Sequence, residues 1–166
     1  MRRLHSYEGT VHAAGVFRVR HGTNVLARAI AQLANLPAAG ESVDIRLQVT
    51  ELEGGEEWRR MFAGHALVSA QSIRDGGLLA ERMGLLELRF RLEVTDGSLK
   101  YQTMSVALSF GPALVPLPRS LSPRVTACEK AIADTDQIHV SVDVSLPLLG
   151  RLIAYDGMLT QVEEIR

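Results

Sequence analysis

The chain is expected to be mostly β (α+β). It reads as a strongly curved antiparallel sheet or barrel of about eight strands, with one amphipathic helix packed on it or plugging it. Three observations predict this. Apolar and polar residues alternate at period two over most of the length. Turn-forming residues separate the alternating runs. One segment alone switches to helical spacing. The chain has 166 residues, no internal repeat and no break in composition, so it reads as a single domain, 1–166, with room for a sizeable core.

A first strand precedes the helix, which lies in TNVLARAIAQLANLPAAG. Val25, Leu26, Ala29, Ile30 and Leu33 share one helical stripe there; Thr23 or Asn24 can cap the start and Pro37 stops the run. Val43, Ile45, Leu47 and Val49 then alternate with polar residues, as do Leu86, Leu88, Phe90, Leu92 and Val94. Met104, Val106, Leu108 and Phe110 form a third such set, and Ile138, Val140, Val142, Val144 and Leu146 a fourth. Turn signals fall at Glu53-Gly54-Gly55, Asp75-Gly76-Gly77, Asp96-Gly97 and Asp134-Thr135-Asp136, the two Asp-Gly pairs marking hairpins. GPALVPLPRSLSP carries four prolines in the twelve residues after Gly111 and reads as a loop between strands. Such an architecture encloses an apolar cavity or a filled core, and the pattern leaves both open.

Several functions are disfavoured. Net charge is −1 and basic residues are interspersed with acidic ones, which argues against nucleic acid as a partner. Nothing resembles a phosphate-binding glycine loop, a nucleophile elbow or a zinc motif. His5, His12, His21, His65 and His139 lie at no metal-ligand spacing and read as surface residues. Neither a cofactor nor a metal is expected. MRRLHSYEGTVH lacks the apolar core of a signal peptide, and SLPLLGRLIAYDGML is too short and polar to span a bilayer. No membrane partner is therefore expected. The single cysteine, Cys128, fits a cytoplasmic location and reads as a small packing residue.

Polar residues on the apolar phase of a strand cost several kcal/mol of desolvation (about 2–7) unless paired, so strand phase acts as a filter. In EEWRRMFAGHALVSA, Trp58, Arg60, Phe62, Ala66 and Val68 share the inner phase, while Glu57, Arg59, His65 and Ser69 fall on the outer one. Arg60 is either an inward guanidinium stacked between aromatics or a strand-end residue snorkelling to water. Leu79, Met83 and Leu85 precede a change of phase at Gly84, read as a bulge that turns Glu81 inward. Glu129 shares a phase with Val125 and Ala127, and Tyr155 with Ile153 and Leu159. Arg60, Glu81, Glu129 and Tyr155 are thus candidates for one buried network, with Trp58 and Phe62 as ligand-contacting aromatics. The network is either a structural ion-pair cluster or catalytic. In the second case one carboxylate acts as acid or base and Arg60 or Tyr155 stabilises an oxyanion.

The chain resembles a bacterial family built on a domain of unknown function, found alone or fused C-terminally to saccharopine-dehydrogenase-like NAD-binding proteins. The resemblance runs through LHSYEG, RHG, LARAIAQLANLPAAG, W-R-R-M-F, LLAERMGLLELRF, PLPRSLSPRV, SLPLLG and IAYDGML. Trp58, Arg60, Phe62, Ser69, Glu81, Gly84, Glu129, Pro147, Gly150, Tyr155 and Gly157 fall on its motif positions. The family pattern has Trp where this chain has Met158. The resemblance implies a fold and no established activity. The reductase fusion implies an accessory or substrate-handling role, and a chain without the reductase portion is expected not to bind NAD.

The expected function is that of a small-molecule-pocket protein, a cofactor-independent cyclase, isomerase or dehydratase acting on a hydrophobic substrate. Two alternatives stand beside it: a binding module for a hydrophobic ligand, and an accessory domain docking a partner reductase. A homodimer is left open.

Overall fold

The computed structural model describes residues 10–162. The N-terminal stretch with His5 and LHSYEG lies outside them. Period-two patterning gives β1 (Thr10–His21), β2 (Gly40–Leu52), β3 (Gly55–Phe62), β4 (His65–Arg74), β5 (Leu78–Met83) and β6 (Leu86–Thr95). β7 (Ser98–Phe110), β8 (Ala113–Pro116), β9 (Arg124–Ala131), β10 (Gln137–Leu146) and β11 (Gly150–Val162) complete the set, and α1 (Val25–Leu33) follows β1. All pairings are antiparallel. β1 bonds to both β2 and β11, and β6 to β7, so ten strands close into a barrel in the order β1-β2-β3-β4-β5-β6-β7-β9-β10-β11. Closure leaves the ring without a free edge. β8 lies outside the ring, on the half of β7 that β9 does not cover.

The expectation of about eight strands is therefore corrected to ten in the barrel plus β8. Two hairpins account for the difference within the ring. Phe62 pairs with His65 across Ala63-Gly64, whose φ values of 46° and 89° make a two-residue turn with both central residues left-handed. An alanine is a poor advertisement for such a turn, so β3 and β4 read as one strand. Met83 pairs with Leu86, and Gly84 (φ 58°) occupies the first central position of a tight turn. The change of phase there is a hairpin and not a bulge. Glu81 is still inward, because it keeps the parity of Leu79 and Met83. β8 corrects the reading of the proline-rich segment as loop throughout. Its pairing with Ala107–Phe110 runs to Pro116, and the prolines after it end the strand.

The helix is also corrected. Asn24 caps it, accepting from the N–H groups of Leu26 at 2.9 Å and Ala27 at 3.3 Å. Its buried residues are Ala27 and Ala31, while Val25, Leu26 and Leu33 of the expected stripe are exposed. Small alanines four apart let the helix backbone approach the barrel wall closely, and the larger side chains turn outward. The helix packs against β11, and its last residue, Leu33, lines the space inside the barrel. After it, His21 donates to the Pro37 carbonyl and His65 to the Asn35 carbonyl, both at 2.7 Å, which ties the return loop to the barrel rim.

Inside the barrel, Phe17, Val19, Ile45, Leu47, Val49, Trp58, Phe62, Ile153 and Leu159 form one apolar cluster and Leu79, Leu88, Phe90, Tyr101 and Val106 a second. Gly157 pairs with Phe17 across β1 and β11. A Cβ at 157 would run into the Val16 carbonyl and the Phe17 ring, so glycine is what lets that ring lie across β11.

Candidate functional site

The space between the two clusters is a cavity of about 640 Å³, lined mainly by apolar side chains of the inner strand faces. Leu33 and Leu85 line it and are 88% and 59% exposed, so its mouth lies at the end of the barrel where α1 finishes and β5 turns into β6. A few polar groups converge in this otherwise apolar space, the usual make-up of a small-molecule site.

The first polar station spans β3, β4 and β5. Cross-strand pairing sets Trp58 opposite Ser69, Arg60 opposite Leu67 and Gln71 opposite Glu81, all facing inward. The Arg60 guanidinium donates to Ser69 Oγ at 2.9 Å and to Glu81 Oε1 at 3.1 Å, and the Ser69 hydroxyl donates to the same Glu81 oxygen at 2.6 Å. Arg60 also lies over the Trp58 ring, 5.1 Å from its centroid, and the Trp58 indole donates to Glu56 at 2.9 Å. Of the two readings of Arg60, the inward one holds: its side chain and that of Glu81 are each only 14% exposed. Burial is the largest influence on the Arg60 guanidinium and acts to lower its pKa. The opposing effects, led by the charge of Glu81, prevail and hold it above the ordinary arginine value.

The second station is on β7 and β9, with β6 separating it from β5. The Tyr101 hydroxyl on β7 donates to Glu129 Oε1 on β9 at 2.8 Å. Among the described residues no basic side chain pairs with Glu129, and its second oxygen takes no hydrogen bond. Burial, then the charge of Glu129 and the hydrogen bond to it, push the Tyr101 phenol far above its usual range.

Tyr155 on β11 stands between the stations. Its ring packs on Phe62 at 5.2 Å and Phe17 at 6.0 Å, which fixes its direction. Its hydroxyl makes no hydrogen bond within the described residues and is not sealed off, so its free surface faces the cavity. Burial raises its pKa most; Arg60 acts the other way, and Glu81 and Glu129 add to the rise.

The four expected polar residues thus meet in one cavity, as two bonded stations and one free hydroxyl and not as a single network. Trp58 lines the cavity, whereas Phe62 does not: it is 2% exposed and buttresses Tyr155 from behind. Ser69, Gln71 and Tyr101 were not among the expected site residues. Ser69 and Gln71 face inward only once the Ala63-Gly64 turn is recognised. Tyr101 was hidden by a register shift opposite Arg89 and Phe90, which changes the phase of β7 around Met104. Met158, the departure from the family pattern, falls on the outer phase of β11, opposite Val16 and His139. No group of three or more His, Cys, Asp or Glu among the described residues is placed to hold a metal ion. No helix among them is long and apolar enough to cross a membrane.

One consequence is spectroscopic. Unfolded tyrosine ionises near pH ~10, and both cavity phenols are raised above that in the folded chain. Folded protein holds these two protons where unfolded protein releases them. Their contribution to stability is complete below pH ~10 and is lost as pH rises through the folded values. Absorbance at 295 nm should show Tyr101 and Tyr155 ionising only together with alkaline unfolding. Ordinary titration of all three tyrosines before unfolding would contradict their burial.

In the comparisons with known proteins, a family model described as a domain of unknown function, DUF4166, matches residues 1–159. No curated protein matches the chain.

Proposed function

The chain belongs to the DUF4166 family, and we propose that it is a cofactor-independent enzyme of the cyclase or isomerase type, moving a proton on a hydrophobic substrate held inside the barrel. The observation that carries this is the arrangement in the cavity: an apolar space of about 640 Å³ lined by two carboxyl groups from different strands and by an unbonded phenol. One carboxyl group can take or give a proton. Arg60 and Tyr155 can stabilise negative charge that develops on the substrate, in a setting where water does not weaken the interaction. A largely apolar cavity also shelters a reactive intermediate.

A second reading is a binding module without chemistry. It is favoured by the closed bonding of Arg60, Ser69 and Glu81, which satisfy one another as a structural cluster does.

Deuterium exchange separates the two. Ligand recovered from the protein is returned to it in D2O and its mass followed. An enzyme that moves a proton on carbon exchanges deuterium into the ligand even when no net reaction proceeds. A ligand that binds and leaves without gaining mass would establish the binding module.

A further inference from the structure

The chemical class of the ligand follows from which cavity groups are already engaged, an argument that rests on the pocket reading above. Arg60 is the one cationic side chain lining the cavity among the described residues, and its charge is matched by Glu81, with Ser69 bonded to both. Glu129 is a second carboxyl group with no cationic partner among them, so the lining carries one basic residue against two acidic ones. A fatty acid or other carboxylate would bring a further acidic group into a space whose one cation is already bonded, a costly burial. The free capacity is of another kind. The Tyr155 hydroxyl is an unused donor, and Glu129 has an unused oxygen. They lie on the same wall: Glu129 and Gly157 pair through Val140, and Ala127 and Tyr155 through Val142. Tyr155 is therefore two strands across and one inward position along from Glu129, roughly 10 Å across at the backbone. Both side chains are long enough to address one small ligand between them.

We propose that the cavity takes an uncharged ketone or enone on an apolar skeleton, its carbonyl oxygen accepting from the Tyr155 hydroxyl and its adjacent carbon facing Glu129. Arg60, the largest charge acting on Tyr155, reinforces that donor. The same placement assigns the roles. Glu81 positions Arg60, and Glu129 is the base. The C–H bond next to the carbonyl breaks, Glu129 takes the proton, and the electron pair moves onto the carbonyl oxygen to give an enolate held by Tyr155. In a β,γ-unsaturated ketone that enolate is conjugated with the neighbouring double bond, and return of the proton from Glu129 to the far, γ carbon shifts the double bond to give the α,β-enone and restores Glu129; in a saturated ketone the proton returns to the same carbon. Electrons are neither gained nor lost.

The test uses two series of uncharged and charged probes on the same skeletons: 2-dodecanone, dodecanoate, dodecylamine and dodecane, and 2-decalone with the corresponding decalin acid, amine and hydrocarbon. Trp58, the sole tryptophan, lines the cavity, so its emission reports binding directly at pH 8. The ketones are expected to bind at least about tenfold more tightly than the acids. Tyr155→Phe should weaken the ketones by roughly three- to tenfold, the loss of one hydrogen bond, and leave the hydrocarbons unchanged. Tighter or equal binding of the acid or the amine overturns the proposal, as does a Tyr155→Phe variant with unaltered ketone affinity. Hydrocarbon binding without preference for the ketone overturns this inference alone. No response of Trp58 to any probe overturns the pocket reading as well.

Discussion

Replacing either Arg60 or Glu81 alone by leucine is expected to destabilise the barrel by about 3–5 kcal/mol, because each replacement strands the opposite charge in the cavity wall. The side chains are only 14% exposed, and both line the largely apolar cavity. Ser69 cannot replace the missing charge; it can only donate to Glu81 or accept from Arg60. The double variant, with leucine at both positions, leaves neither charge behind and should recover most of the loss. Urea unfolding of the four proteins measures the coupling. Single variants that lose less than about 1 kcal/mol would mean that water reaches the pair freely, as at a surface salt bridge, and the burial of the pair would be refuted.

Glu129→Gln should have the largest functional effect. Glutamine keeps the shape and can still accept from the Tyr101 hydroxyl, but it cannot take a proton from carbon. Loss of a positioned acid–base group costs about 10²–10⁴-fold in rate, so deuterium uptake into the bound ligand should fall by that factor while binding persists. Glu81→Gln should act differently: it weakens the hold on Arg60 and lowers stability first. Equal uptake by wild type and Glu129→Gln would remove Glu129 as the base.

Much of this arrangement was legible in the sequence, for a definite reason. Strand phase is a two-valued property, and a charged residue in phase with Trp58 and Phe62 has to be either paired or at a strand end. That argument places Arg60, Glu81, Glu129 and Tyr155 inside from sequence alone. It failed where phase was reset without a visible marker. Ala63-Gly64 and Gly84 turn the chain back on itself without the Asn-Gly or Asp-Gly pairs that announce a hairpin, and Ser69 was assigned to the wrong face. The register shift in β7 did the same to Tyr101. The helix misled for another reason. Its bulky residues fall on a stripe that looks like a core face, but close approach to the barrel selects Ala27 and Ala31. Packing distance, which a hydrophobic pattern does not encode, decided the matter. Pairings between strands are equally invisible from spacing alone, so the split into two stations with a free hydroxyl between them needed the closed barrel.

The central claim is that the barrel interior is a ligand site, and native mass spectrometry of freshly purified, gently desolvated protein tests it most directly. The account predicts a noncovalent adduct with the mass of a drug-sized molecule, in keeping with the size of the cavity. It should be released by collisional activation and be extractable into organic solvent as an uncharged compound. Protein that shows only its bare polypeptide mass, and takes up none of the ketone or hydrocarbon probes when they are supplied, would contradict it.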